Sequence, residues 1–307
     1  MIKFICVLVL ILTLSVVEAQ EKILNFTEGK FRVYDESKEE DGYYIFYDTS
    51  SLALAARPII FIHGYGALNP MIYGQWIKHL TDQGLTVIFP RYQKNLVVPG
   101  ADKFAENTAA AIRASFAKLE DLGFDGLDTS ALIFAGHSYG AAISAYLGIN
   151  YHKYQVPKPA GLFLCQPGTG PLKPLNLENY DELSPDIKLI VLVGDKDMTV
   201  GEVLGRRIFG TTKSADKIFV KHYENQAVNP PISASHYEAY SLDSLLDNHI
   251  HNFTYKRSLY MAKTDEVDHH LYWYLLDQLY KRIRTQHSLA DLVQLPSTNF
   301  VSASSQE

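Results

Sequence analysis

The chain has 307 residues, 47% hydrophobic and 20% charged, which is enough apolar content to exclude intrinsic disorder and enough length for a large core. Twenty-eight Lys and Arg against 34 Asp and Glu leave a net charge of −6, which argues against nucleic-acid binding, a class that is usually basic. Cys6 and Cys165 are the only cysteines, so there is neither a disulfide framework nor a cysteine zinc cluster.

At the N-terminus, Lys3 precedes an almost wholly apolar run over residues 4–14, and Val17 and Ala19 put small residues where a signal peptidase reads. Residues 1–19 are therefore expected to be a secretory signal, because the run is too short to span a bilayer. The protein is then secreted or periplasmic, has no stable membrane insertion after cleavage, and keeps Cys165 as its one thiol. Residues 43–47 are aromatic and β-branched and predict a strand. Ile59-Ile60-Phe61-Ile62 is a continuous apolar run, as in a strand buried on both faces of a parallel sheet. A helix is predicted over residues 76–84, a strand over 86–89, an Ala-rich helix over 102–122, and a strand over 131–135. A helix over 141–151 follows, then strands over 161–165, 187–193 and 217–220, and a long helix over 266–284. This alternation predicts an α/β domain over residues 20–295: a mostly parallel sheet of about eight strands, helices on both faces and no large cap. Residues 296–307 read as a polar, mobile tail.

Gly136-His137-Ser138-Tyr139-Gly140 lies directly after a buried strand and directly before a helix. Glycines two positions either side of a serine remove side chains that would clash in a strained strand–turn–helix elbow, and the helix N-terminus adds partial positive charge there. A structural serine in a tight turn is the plainer alternative. In this setting Ser138 resembles the nucleophile of the α/β-hydrolase family. The resemblance spans residues 43–284. Ile60-Phe61-Ile62-His63-Gly64-Tyr65-Gly66 is similar to the family's His-Gly loop, and Phe89-Pro90-Arg91-Tyr92-Gln93 is similar to a segment of cutinase-like and dienelactone-hydrolase-like members.

The resemblance implies the order Ser, acid, His. Val193-Gly194-Asp195-Lys196-Asp197 ends a buried strand; family members place the acid at the second aspartate, which selects Asp197 and leaves Asp195 as a turn residue. The base is sought among His222, His236, His249, His251, His269, His270 and His287. His222 falls within the last strand, and His236, between small residues and Tyr237, resembles the base of cutinase-like relatives. His249 and His251 are the nearest rivals. Their His-x-His spacing also suggests a metal, yet no third ligand is evident in the sequence. His269 and His270 are adjacent on a helix and read as a solvated surface. By resemblance the oxyanion donors are the backbone N–H groups of Tyr65 and Tyr139, with His63 and His137 in supporting positions. No cofactor is expected, since no dinucleotide or phosphate loop opens the sheet, and no metal is expected, since neither a cysteine cluster nor a third ligand is evident.

Residues 166–186 and 226–235 are too short to form a cap, and residues 240–265 are long enough to rim a site. An open cleft admits small or polymeric esters. The expected function is a secreted serine hydrolase of carboxylic esters; a peptidase of the same fold, or an inactive binding protein on that fold, is the alternative. Asn25-Phe26-Thr27 and Asn252-Phe253-Thr254 match glycosylation acceptors.

Overall fold

A computed structural model describes residues 27–96, 100–171, 175, 177, 179–294 and 301–304. The expected signal at residues 1–19 lies outside the described residues, as does Asn25. The described residues build one ten-stranded sheet in the order β1-β2-β3-β5-β4-β6-β7-β8-β9-β10. The strands are β1 (Thr27–Glu28), β2 (Phe31–Glu36), β3 (Tyr43–Asp48), β4 (Pro58–Ile62), β5 (Thr86–Pro90), β6 (Ile133–His137), β7 (Gly161–Cys165), β8 (Lys188–Gly194), β9 (Lys217–His222) and β10 (Val301–Ser304). The six strands from β5 across to β9 run parallel, while β1, β2, β3 and β10 are antiparallel to their neighbours. The arrangement is compatible with an α/β-hydrolase fold. The eight longer strands match the expected number; the two short edge strands are additional.

The helices are α1 (Gly74–Asp82), α2 (Phe104–Lys118), α3 (Tyr139–Tyr154), α4 (Val203–Thr211), α5 (Phe253–Met261) and α6 (Trp273–Thr285). Successive side chains of a strand point to opposite faces, so an unbroken apolar strand feeds two cores. In β4, Ile59 and Phe61 join α1 and α6 through Trp76, Leu80, Leu275 and Leu279. Ile60 and Ile62 join α2, α3 and α4 through Ile112, Ile143 and Ile208 on the other face. The same split recurs in β8, where Ile190 and Leu192 face the first core and Leu189, Val191 and Val193 the second.

Two expectations are revised and a third gains detail. The segment expected to be a mobile tail contributes β10, whose Val301, Ser302, Ala303 and Ser304 pair with His222, Lys221, Val220 and Phe219. The outer edge of β9 carries backbone groups that a partner strand satisfies. The helix expected over 266–284 is present as a continuous helical run that includes a π-helical turn, Asp268–Tyr272, leading into α6. The strand expected over 131–135 sits two residues later, which brings its end to the serine turn.

Asp268 in that π turn is buried, and its carboxylate Oδ2 accepts the Asp265 N–H at 2.9 Å. Burial, reinforced by the charges of Asp265 and Glu238, pushes its pKa up to about 8 against the acceptor bond that lowers it. The folded chain therefore holds a proton that the unfolded chain releases near the ordinary carboxyl value of about 3.9, and stability falls as pH rises from about 4 to about 8. Asp268→Asn keeps the acceptor and removes the titration. It should raise stability by about 2–5 kcal/mol at pH 8, with the gain vanishing below about pH 4. Thermal midpoints of both proteins across that range test this; a pH-independent difference would remove the assignment.

Candidate active site

Ser138 joins β6 to α3 at φ 55°, ψ −119°, a left-handed backbone that a residue with a Cβ adopts only under constraint. The constraint is visible in hydrogen bonds. The Ser138 N–H donates to the Cys165 carbonyl (2.9 Å), and its carbonyl accepts from the N–H groups of Ala141 (3.1 Å) and Gly168 (3.2 Å). The flanking glycines are needed for space. A Cβ on Gly136 would stand 2.5 Å from Ala141 N, and one on Gly140 would stand 2.5 Å from the His63 carbonyl oxygen and closer still to that of Ile62. Gly140→Ala should therefore destabilise the fold by about 3 kcal/mol or more, above the usual range for overpacking. Gly210→Ala, in α4 with open space around the added atom, is the control and should be near neutral or mildly stabilising. Denaturant midpoints of the two variants check the pair.

His236 and Asp197 meet this serine. His236 Nε2 is 2.9 Å from Ser138 Oγ, and His236 Nδ1 is 2.7 Å from Asp197 Oδ2. All three are nearly inaccessible, with Ser138 8%, His236 4% and Asp197 7% exposed. The other Asp197 oxygen accepts the N–H groups of Thr199 and Val200, each at 2.9 Å. Burial alone would raise its pKa; the His236 hydrogen bond and charge and those two N–H donors outweigh it and hold the carboxyl below its ordinary value. Asp195 does something else. Its Oδ1 accepts the Glu224 N–H at 2.8 Å and its N–H donates to the His222 carbonyl at 2.8 Å, so it ties the end of β8 to the chain leaving β9.

The loop carrying His236 is gripped through three successive carbonyls. That of Ala234 accepts from Lys196 N–H (3.2 Å), that of Ser235 from Gln166 Nε2 (2.5 Å), and that of His236 from His137 Nε2 (2.9 Å). Gly194 permits the first of these contacts, since a Cβ there would collide with the Ala234 carbonyl. His137 is itself oriented. Gly64 N–H donates to the Tyr73 hydroxyl (3.0 Å), which leaves that hydroxyl to donate to His137 Nδ1 (2.9 Å) and the Nε2 proton to face the His236 carbonyl. Burial, with His236 next, lowers the His137 pKa to about 3, so this ring is neutral.

Tyr65 lies in the loop after β4. Gly66 N–H is taken by Gln93 Oε1 at 2.7 Å and Gly64 N–H by Tyr73, while the Tyr65 N–H between them has no protein acceptor among the described residues. Tyr139 is the first residue of α3, and its ring is buried. His63 is fully buried, with its ring nitrogens 2.7 Å from the Gly64 carbonyl and 2.8 Å from that of Arg91, and it stacks on Tyr92 at 4.3 Å. Two cavities of about 320 and 350 Å³ meet at Tyr65, Ser138 and Thr199. Phe253, Thr254 and Arg257 of α5 wall the first, and Gly168, Thr169 and Val200 wall the second.

The remaining histidines lie elsewhere. His222 is buried at the end of β9, where burial, opposed by Asp195, lowers its pKa to about 4. His249 and His251 sit by Asp247, His269 packs its ring on Trp273, His270 pairs with Glu266 at 2.7 Å, and His287 is exposed beyond α6. The sequence reading missed Tyr73 and Gln93, the buried partners of the Gly64 and Gly66 N–H groups, and it missed α5. Gln93 stood in the quoted Arg91-Tyr92-Gln93 segment without a role. Asn252, a glycosylation match, uses its amide inside the fold: Oδ1 caps α5 at Tyr255 N–H (2.9 Å) and Nδ2 donates to the Gly66 carbonyl (2.7 Å). Among the described residues no helix is long and apolar enough to cross a membrane. No protein-family model and no curated protein matches this chain.

Proposed function

We propose that this chain is a secreted serine hydrolase of carboxylic esters, in the α/β-hydrolase superfamily and akin to its cutinase-like and dienelactone-hydrolase-like branch, with residues 1–19 as its secretory signal. One observation carries the reading: a continuous hydrogen-bond series, Asp197 to His236 to Ser138, ending on a strained turn at the junction of two cavities. A serine hydroxyl is a weak nucleophile near neutral pH and needs a base, and the base needs a carboxylate to hold its tautomer.

In the reaction, Ser138 Oγ attacks the ester carbonyl while His236 Nε2 takes its proton. The carbonyl electron pair moves onto oxygen, facing the N–H groups of Tyr65 and Tyr139 at the N-terminal end of α3. The tetrahedral species collapses, the C–O bond to the alcohol breaks, and the alcohol leaves with the proton from His236. Water, deprotonated by the same imidazole, then attacks the acyl-enzyme and restores Ser138. Asp197 stays ionised and stabilises the imidazolium. The two cavities supply room for the acyl and alcohol parts on either side of Ser138. Among the described residues no large cap covers the site, which suits bulky or polymeric esters as well as small ones.

A fluorophosphonate probe and a panel of nitrophenyl esters from short to long acyl chains test the reading together. Stoichiometric labelling with measurable ester turnover is expected. Folded protein that neither labels nor turns over any ester would instead be a binding protein on this fold.

A further inference from the structure

The two histidines whose spacing hinted at a metal lack a third ligand in the sequence alone; the fold supplies one. Asp247, His249 and His251 bring their ligand atoms within 4.8 Å of one another. Asp247 Oδ2 is 3.0 Å from His251 Nε2 and 3.7 Å from His249 Nδ1. A tetrahedral zinc ion with bonds of about 2.0–2.1 Å has ligand-to-ligand edges of about 3.3–3.4 Å, midway between those two distances. The backbone is bent to make this possible: His249 has φ 66°, a left-handed conformation uncommon outside glycine.

The carboxylate is oriented as a metal ligand should be. Its Oδ1 accepts the Asn69 amide at 2.7 Å and the His249 N–H at 2.9 Å, which fixes the plane of the carboxylate so that both oxygens lie 3.0 Å from His251 Nε2 and Oδ2 also faces His249 Nδ1. The His251 ring is steadied by stacking on Tyr255, centroids 4.1 Å apart and 15° between planes. Two imidazoles and one carboxylate suit zinc and its late first-row neighbours, whereas calcium and magnesium take oxygen ligands. His249 and His251 are 47% and 42% exposed on their side chains, so an ion can arrive from solvent and water can complete its shell.

The location gives such an ion a consequence. The segment that carries these ligands grips the loop after β4 at successive points. Asn248 Nδ2 donates to the Leu68 carbonyl (3.1 Å), Asn252 Nδ2 to the Gly66 carbonyl (2.7 Å), and Thr254 Oγ1 to the Tyr65 carbonyl (3.3 Å). Asn69 bonds Asp247 itself. Phe253, between these anchors, walls the cavity at Ser138.

We propose that Asp247, His249 and His251 form a binding site for a zinc-type divalent cation, which braces the clamp between the residue 247–254 segment and the loop bearing Tyr65. The ion stands apart from Ser138 and its binding requires no ester chemistry. The test is titration of untagged, chelator-treated protein with Zn²⁺ alone, followed calorimetrically, with hydrogen exchange measured with and without the ion. The wild type should bind one equivalent at micromolar or lower concentration, and exchange should slow in residues 64–69 and 247–262. His249→Asn, which suits the left-handed backbone, and His251→Gln alter exposed side chains, so both should fold. Each should weaken Zn²⁺ binding by ~10-fold or more, the scale seen when even supporting groups around a metal are lost. No saturable binding by the wild type, or undiminished binding by both variants, overturns the site. Binding with unchanged exchange in those two segments overturns the brace. Because the readout is binding and exchange, the site can fail while ester turnover stands, and the reverse.

Discussion

Ser138→Ala should lower ester turnover by ~10⁴-fold or more and abolish phosphonate labelling, since the members of such a hydrogen-bonded series act as a unit. The fold should survive. The substitution keeps the Cβ and therefore the same backbone requirement, and the bonds that hold φ 55° in place run through the Ser138 N–H and carbonyl, which alanine retains. The hydroxyl's hydrogen-bond partner is His236, so what is lost is the chemistry and little of the packing. Labelling rate and thermal midpoint, measured on the same preparation, separate the two. A mutant that still labels at the wild-type rate would mean that the reactive group is not Ser138.

The two aspartates at the end of β8 should respond in opposite ways. Asp197→Asn should cost ~10⁴-fold in turnover with folding intact, because an amide facing His236 Nδ1 favours the wrong tautomer. Asn can still accept the Thr199 and Val200 N–H groups through its amide oxygen, so the loop geometry is kept. Asp195→Asn should leave turnover within about tenfold of wild type while loosening the tie between β8 and the chain after β9, at a cost on the order of 1 kcal/mol for one weakened hydrogen bond. His236→Ala belongs with Asp197, at the 10²–10⁴-fold loss expected for a positioned proton-transfer group. Turnover and denaturant midpoints for the three variants decide the matter. A larger activity loss at Asp195 than at Asp197 would reverse the roles.

Much of the sheet was legible because its signals are local. Unbroken apolar runs such as Ile59-Ile60-Phe61-Ile62 can be satisfied only between two cores, and the structure splits their side chains between two. The strand β2 was missed although Phe31 and Val33 alternate with more exposed Arg32 and Tyr34, a period-two pattern that could have revealed it. The helix α5 offered no such signal. Ser258 is its one buried residue, so no apolar face at helical spacing marks it. It is held instead by the Asn252 cap and by Thr254's bond to the neighbouring loop.

The serine turn could be read from five residues because its requirement is steric and contiguous: Gly136 and Gly140 are where a Cβ would strike backbone. The choice of Asp197 over Asp195 came from family likeness, and the structure shows two separate hydrogen-bond duties for the pair. Which of seven candidate histidines faces Ser138 was beyond local pattern. That is decided by three successive carbonyls held by Lys196, Gln166 and His137, residues that lie 38 or more positions away in the chain for Ala234 and further for the other two. The trio Asp247, His249 and His251 was hidden for a different reason. Its members are close in sequence but converge only because His249 takes a left-handed backbone, and neither helical nor strand periodicity encodes such a bend. What neighbouring residues impose by sterics and burial could be read along the chain by itself. What depends on distant backbone groups meeting was decided by the tertiary structure, because only the packed sheet brings those loops to one end.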